Sequence, residues 1–401
     1  MTSDDAMATS AVIAGVGMIP FVKPGASAPY PDMGADAARL ALADAGIAYD
    51  RVRQAYVGWV YADSTAGQAA LYKVGLTGIP IFNVNNNCST GSTALLLARQ
   101  AVESGAVDCA LALGFEQMAP GALGVVFPDR PSPLADFLAI ADARFAEAGD
   151  VPMAIRLFGG AGYEYQERYG ARGETFAKVR AKASRHARHN DKAIFRKEVT
   201  PEEVLASPPV FLNLTRLQCC PPTCGAAAAV VCSEAFAARH GIGRRGVRIR
   251  AQAMTTDTAT TFAEGSLMKA VGADIAREAA RQVYESAGVG PEDVDVVELH
   301  DCFTTNEVLS YEALGLCGEG EAERFVEDGD NTYGGRVVTN PSGGLLSKGH
   351  PLGATGLAQC FELVTQLRGE AGVRQVEGAR LGLQHNLGLG GACVVTLYER
   401  G

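Results

Sequence analysis

No stretch of the chain approaches the ~18 uninterrupted apolar residues that a membrane-spanning helix needs, so no span is expected. Basic charge is scarce as well: 35 Lys and Arg stand against 45 Asp and Glu, a net charge of −10. That balance argues against nucleic acid as the main partner, because phosphate backbones demand a basic surface. The ten cysteines lack regular spacing and so do not form a disulfide framework; a reducing interior such as the cytoplasm is expected. Their tightest cluster, Cys219, Cys220 and Cys224, has no second CxxC or paired histidines nearby, so no metal is expected there. Low-complexity tracts are missing too. Residues 1–10 are polar and acidic, unlike a signal or transit peptide, and Leu397–Gly401 carries no peroxisomal address. Together these point to a cytoplasmic α/β protein.

What is present fits that class. The 401 residues are too many for one simple core and imply two or more domains. Buried-strand patterns at Ala11–Gly17, Val52–Val60, Ile79–Val84 and Val107–Gly114 alternate with helical ones, which indicates a parallel sheet with crossover helices. The helix over 34–45 ends at Gly46. The pattern then repeats. Ala37-Ala38-Arg39 through Ala45-Gly46-Ile47 matches Ala279-Ala280-Arg281 through Ala287-Gly288-Val289, and Cys88-Ser-Thr-Gly91 parallels Gly353-Ala-Thr-Gly356, each opening a helix. The expected organisation is two related α/β halves, 1–118 and 248–401, with two sheets around shared central helices and an insert at 119–247. Within the insert, Lys178 to Lys197 holds eight Lys/Arg and two His against one Asp, which reads either as a solvated helix face or as a site for an anionic ligand such as a nucleotide-bearing cofactor.

Chemistry concentrates at four junctions. Cys88 sits at the mouth of a helix that is apolar nearly all round, Ala94 to Val102, where free backbone N–H groups and the helix dipole favour thiolate. Three of only six histidines, His300, His350 and His385, lie at strand ends or helix starts in glycine-rich sequence. Open α/β sheets bind ligands at the carboxyl ends of their strands, so these residues can converge with Cys88. A thiol beside an imidazole suits nucleophilic catalysis, and a second thiol, Cys302, can serve as acid and base.

These motifs carry a resemblance. Cys-Ser-Thr-Gly, Gly-His-Pro-Leu-Gly-Ala-Thr-Gly, the duplicated halves and the insert resemble the thiolase superfamily from about residue 11 onward. His300-Asp-Cys-Phe and Gln384-His-Asn-Leu-Gly-Leu-Gly-Gly are similar to its sterol-carrier-protein type. The resemblance implies the five-layered α-β-α-β-α thiolase fold, a homodimer or dimer of dimers, and acyl transfer between 3-oxoacyl-CoA and coenzyme A, used as co-substrate with no permanently bound cofactor. It implies Cys88 as the acylated nucleophile, His350 as its activator and Cys302 as acid and base, because His385 stands where a C-terminal cysteine would be expected. His300 and His385 would orient Cys302 and the substrate. Ala229 and Ser233 match positions lining the pantetheine arm, and the basic 178–197 stretch lies in the insert expected to bind coenzyme A. Cys224 departs from an expected Asp. The carrier domain is not expected within this chain, which makes a separate lipid-carrier protein a candidate partner. Alternatives are an aldol-type lyase or condensing synthase on the same fold, or a non-catalytic acyl-CoA- or lipid-binding protein.

Overall fold

The computed structural model describes residues 10–121, 124–147 and 149–401; the acidic start, 1–9, lies outside them. Twelve strands occur among the described residues: β1 Ala11–Met18, β2 Gln54–Gly58, β3 Ile81–Val84, β4 Cys109–Glu116, β5 Pro209–Phe211, β6 Leu214–Thr215, β7 Gly225–Ser233, β8 Val247–Thr255, β9 Val296–Glu298, β10 Val338–Thr339, β11 Leu381–Gly388 and β12 Ala392–Arg400. The helices that matter below are α1 Tyr30–Ala45, α2 Thr90–Glu103, α3 Met153–Tyr169, α4 Gly173–Ala187, α5 Ala273–Ala287, α6 Thr304–Ala313 and α7 Thr355–Arg368.

Ten strands form one sheet in the order β10-β9-β11-β12-β8-β1-β7-β4-β2-β3. Read outward from the middle, β1-β7-β4-β2-β3 is matched position for position by β8-β12-β11-β9-β10, so the duplication holds at the level of topology. The two sheets expected from sequence are the halves of this one. Between the described halves only Val12↔Arg248 and Ile13↔Val247 pair, which leaves the rest of each half free to pack on opposite sides of the central helices.

Strand alternation builds the layers. On β4, Ala110 and Ala112 pack with Ala94 and Leu95 of α2 and Leu357 and Leu363 of α7, while Leu111 and Leu113 face Ala37 and Ala41 of α1. In the other half, Leu383 and Val395 pack against Ala276 and Ala280 of α5 on the outer side. The succession is α1, half-sheet, α2 with α7, half-sheet, α5 with α6, as the five-layered expectation has it.

The boundary of the insert is corrected. Residues 225–233 were assigned to it, but they form β7, paired with β1 on one side and β4 on the other in the first half. The reason lies in Ala226, Ala227, Ala228 and Ala229, whose small side chains fit a strand covered on both faces.

Candidate active site

The sequence places Cys88 at the turn between β3 and α2. Asn87 before it adopts φ +51, in the left-handed region that Asn tolerates, and its Nδ2 donates to the Leu389 carbonyl at 3.1 Å. The Cys88 turn is thus clamped to the loop after β11. Two close approaches hold the halves together here. A Cβ on Gly114 would lie 2.1 Å from the Gly353 oxygen, and one on Gly356 would lie 2.2 Å from Ser92 Oγ.

Cys88 Sγ and one ring nitrogen each from His300 and His350 lie within 4.8 Å of one another, all three residues buried. The two rings meet edge to face, centroids 5.0 Å apart. Cys302 lines the same cavity of about 210 Å³, whose wall is otherwise mostly apolar. Helix α3 contributes Ile155 and Phe158, and the 219–222 segment closes another side. His385 is fully enclosed behind His300: its Nδ1 accepts from the His300 backbone N–H at 3.4 Å, and it does not reach the cavity wall.

The hydrogen-bond network assigns the histidine protons. Thr355 Oγ1 donates to the Pro351 carbonyl at 2.9 Å, so toward His350 Nδ1, at 2.7 Å, it can only accept. His350 therefore carries its proton on Nδ1, and Nε2 is a bare lone pair with no protein partner. For His300 the assignment is opposite. Gln384 Nε2 donates to Ser92 Oγ at 2.7 Å, Ser92 Oγ donates to Asn386 Oδ1 at 2.8 Å, and Asn386 Nδ2 donates to the Cys88 carbonyl and to His300 Nδ1, both at 3.1 Å. His300 Nδ1 is the acceptor, so its proton sits on Nε2. The site holds one imidazole as base and one as donor. It also follows that the three-residue cluster suits a metal ion poorly, since His300 offers an N–H where a metal needs a lone pair.

Burial pushes both histidines down, His350 to about 3 and His300 well below the usual range, so each is neutral near pH 7. Burial, with the nearby Glu116 charge, also pushes the Cys88 thiol up to about 12, despite hydrogen bonds from the Leu389 and Cys88 N–H groups that act the other way. The expectation that the helix mouth favours thiolate is corrected. Desolvation outweighs the dipole, and the resting pair is thiol with neutral imidazole.

Two other expectations change. Ala229 lies mid-strand between Val16 and Ala112, and Ser233 caps the helix after β7 by accepting from Phe236 N at 3.1 Å. Ser233 neighbours Asp108, at the end of β4 away from Glu116, so neither residue lines the cavity. Strand β7 is paired on both edges and buried along its whole length. In the basic stretch, Arg180 and Lys182 are buried, bonded to Ser347 and Glu307 respectively, and His186 bonds Asn340 and Thr332. Those side chains hold α4 to the core; Arg185, Arg188, Arg196 and Lys197 are the exposed Lys and Arg of the stretch. Cys224 packs against Met118, accepting its backbone N–H at 3.2 Å.

Sequence reasoning missed Asn386, Glu116 and Asp301. Glu116 accepts from Val60, Tyr61 and Gly353 N–H groups at 2.9–3.0 Å and so ties β2 of one half to the turn before α7 of the other. Its signal was an acid closing the apolar run Cys109–Phe115. Asp301 points away from the cavity and accepts from Leu345 and Leu346 N–H groups, at 2.7 and 3.3 Å. Asn386 gave no signal beyond standing next to His385.

Comparison with known proteins follows the same lines. Residues 11–210 match the family model for the thiolase N-terminal domain and 257–398 that for the thiolase C-terminal domain-like family. Sterol carrier protein 2 of Rattus norvegicus is 56% identical over 97% of this chain and 72% of its own length. The benzoylsuccinyl-CoA thiolase subunit BbsB of Thauera aromatica is 37% identical over 84% of each. Among solved structures, the Ltp2–ChsH2(DUF35) aldolase superposes with TM-score 0.82 at 24% identity, over 98% of both chains. Human mitochondrial 3-ketoacyl-CoA thiolase with CoA gives 0.73 at 18%, likewise over 98% of both. At these identities the structural likeness is one of fold.

Proposed function

The chain belongs to the thiolase family, and from that premise we propose that it is an acyl-CoA C-acyltransferase that cleaves 3-oxoacyl-CoA with coenzyme A, or runs the reverse Claisen condensation, through an acyl-Cys88 intermediate. One observation carries the reading: Cys88, a histidine with a bare Nε2 and a histidine with an Nε2–H share one apolar cavity with a second thiol, Cys302.

In the degradative direction Cys88 attacks the 3-keto carbon while its proton passes to His350 Nε2. Because thiol and imidazole are both neutral at rest, transfer accompanies S–C bond formation rather than preceding it. The alkoxide collapses, the Cα–Cβ bond breaks, and the acyl group stays on Cys88. The electron pair leaves as the enolate of acetyl- or propionyl-CoA, whose oxygen the His300 Nε2–H stabilises. Cys302 donates its thiol proton to the enolate carbon. Coenzyme A then enters, gives its thiol proton to the Cys302 thiolate and attacks the thioester, and His350 returns the proton to Cys88 as it leaves. The Cys88 N–H and the loop after β11 supply donors to the thioester oxyanion. Burial raises the Cys302 thiol well above its ordinary range, which keeps it an acid between turnovers and makes its thiolate a stronger base.

An aldol-type lyase is the second reading, favoured by the fold likeness to the aldolase. A retro-aldol cleavage forms no acyl-enzyme, so a buried nucleophile beside a base with a free lone pair favours the thiolase reading. Incubation with acetyl-CoA followed by mass spectrometry is the test: an acetyl adduct on Cys88 is expected, and its absence under conditions that support turnover refutes the proposal.

A further inference from the structure

The cavity contains two thiols that the acyl-transfer chemistry does not use. Cys219 and Cys220 line it together with Cys88 and Cys302, and all four are free. The 219–220 segment runs antiparallel to 302–303. Cys219 bridges Phe303, and Cys220 N donates to the Cys302 carbonyl at 2.9 Å. Cys220 and Cys302 are therefore opposed beside that bridge and joined by one backbone hydrogen bond; opposed residues of antiparallel ladders have Cα atoms ~4.5–5.5 Å apart, within the ~4.4–6.8 Å that a disulfide spans. Both side chains belong to residues that line the cavity.

From this opposition we infer that Cys220 is a resolving cysteine for Cys302, and that a peroxide links the two into a disulfide which removes the acid–base thiol while leaving Cys88 unoxidised. The inference rests on the acyl-transfer reading for the role of Cys302. At rest burial keeps both thiols protonated and unreactive. Turnover supplies the thiolate: once Cys302 has protonated the enolate carbon, it waits as thiolate for coenzyme A. Its sulfur attacks a peroxide oxygen, the O–O bond breaks, and hydroxide leaves as Cys302 becomes a sulfenic acid. Cys220 sulfur then attacks the sulfenic sulfur, the S–O bond breaks, and the departing hydroxide takes the Cys220 proton as water. One thiolate and one thiol are oxidised to the disulfide, and one peroxide is reduced to hydroxide and water. Cys88 is esterified at this stage, which protects it and directs the crosslink to Cys220. The device would halt carbon–carbon chemistry when coenzyme A is scarce and peroxide present, and any thiol reductant reverses it.

The test treats the enzyme with hydrogen peroxide during turnover at limiting coenzyme A, then maps peptides without reduction. A 220–302 linked peptide is expected, with thiolysis lost, Cys88 still carrying its acyl group and not oxidised, and thiolysis regained on adding dithiothreitol. In Cys220→Ser, compared with its own untreated rate, the same dose is expected to inactivate beyond rescue by dithiothreitol, as Cys302 proceeds to the sulfinic acid. A peptide map in which inactivated enzyme holds 220 and 302 unlinked, or links Cys88 instead, overturns the inference. If the 220–302 link forms but untreated enzyme never acylates Cys88, the acyl-transfer reading fails and the crosslink stands.

Discussion

Asn386→Asp tests the division of labour between the two histidines. In the wild type the amide donates to His300 Nδ1 at 3.1 Å and thereby keeps the ring proton on Nε2, facing the cavity. A carboxylate can only accept. It keeps the bond from Ser92 Oγ but reverses the demand on His300, which must now place a proton on Nδ1. Neutral His300 then turns a lone pair toward the enolate oxygen, and one oxyanion donor is lost, a change that costs ~2.7–4 kcal/mol, about 10²–10³ in kcat. A second effect has the opposite sign. A unit charge at ~4 Å in a medium of effective dielectric ~20 attracts an imidazolium by ~4 kcal/mol, against the burial that holds His300 well down. The His300 pKa rises toward the accessible range, and below it the imidazolium carries both protons and regains its Nε2–H. The variant is therefore expected to be strongly impaired at mildly basic pH and to recover as pH falls, a limb the wild type lacks because its His300 has the donor while neutral. The assay is kcat for thiolysis against pH, with Asn386→Leu alongside. Leucine removes the constraint without adding charge, so its loss should be flat across the range. A profile for Asn386→Asp that parallels the wild type, merely scaled, refutes the tautomer argument and leaves Asn386 a packing residue.

Cys88→Ala should abolish the acyl-enzyme adduct and thiolysis together, whereas Cys302→Ala should still accept an acyl group from a reactive thioester and lose carbon–carbon cleavage; mass spectrometry and thiolysis assays separate the two. Alkylation of Cys88 by iodoacetamide in the unliganded enzyme should be slow at neutral pH and rise with pH, since a thiol pushed up to about 12 holds roughly a thousandfold less thiolate than an ordinary one. Glu116→Gln must turn an NH₂ toward at least one of the N–H groups at Val60, Tyr61 and Gly353, and a buried unsatisfied donor costs ~1–3 kcal/mol in denaturant unfolding. The Glu116 carboxyl is raised to about 7 by burial, so the folded state holds its proton more tightly than the unfolded one; wild-type stability should fall as pH rises from the ordinary carboxylate range to about 7, and Glu116→Gln should lose that part of the slope.

Much of the fold was legible because duplication and alternation are properties of the chain itself. The parallel between Cys88-Ser-Thr-Gly91 and Gly353-Ala-Thr-Gly356 foretold two central helices, and both N-termini do meet at Gly91 and Gly353, where a Cβ on the former would lie 2.8 Å from the latter's oxygen. Alanine-rich 225–233 was misassigned because a strand's neighbours are set by tertiary pairing, and no local signal tells an insert from the closing strand of a distant sheet. The same limit applied to the basic stretch. Charge can be counted in sequence, but only packing shows that Lys182 faces Glu307 rather than a ligand. The site histidines were found because junction position is local. Asn386 was not, because its importance lies in orientation, an amide turned by Ser92 on the opposite half.

That orientation bears on how the proposed acyl transfer could run both of its halves in a buried site with two neutral histidines. A helix N-terminus gives a fraction of a charge, and a dry cavity takes more than that back, so Cys88 remains a thiol until substrate arrives. Reactivity must then come from proton acceptance at the moment of attack, which requires a bare lone pair, while enolate formation requires a proton in the same small space. A single neutral imidazole facing the cavity through one nitrogen cannot offer both. Thr355, the first residue of α7, imposes one tautomer on His350, and the Gln384–Ser92–Asn386 chain, which crosses from β11 to α2 and back, imposes the other on His300. The pairing of the halves therefore does more than bury Cys88. It supplies from one half the hydroxyl that turns the amide which sets the histidine of the other.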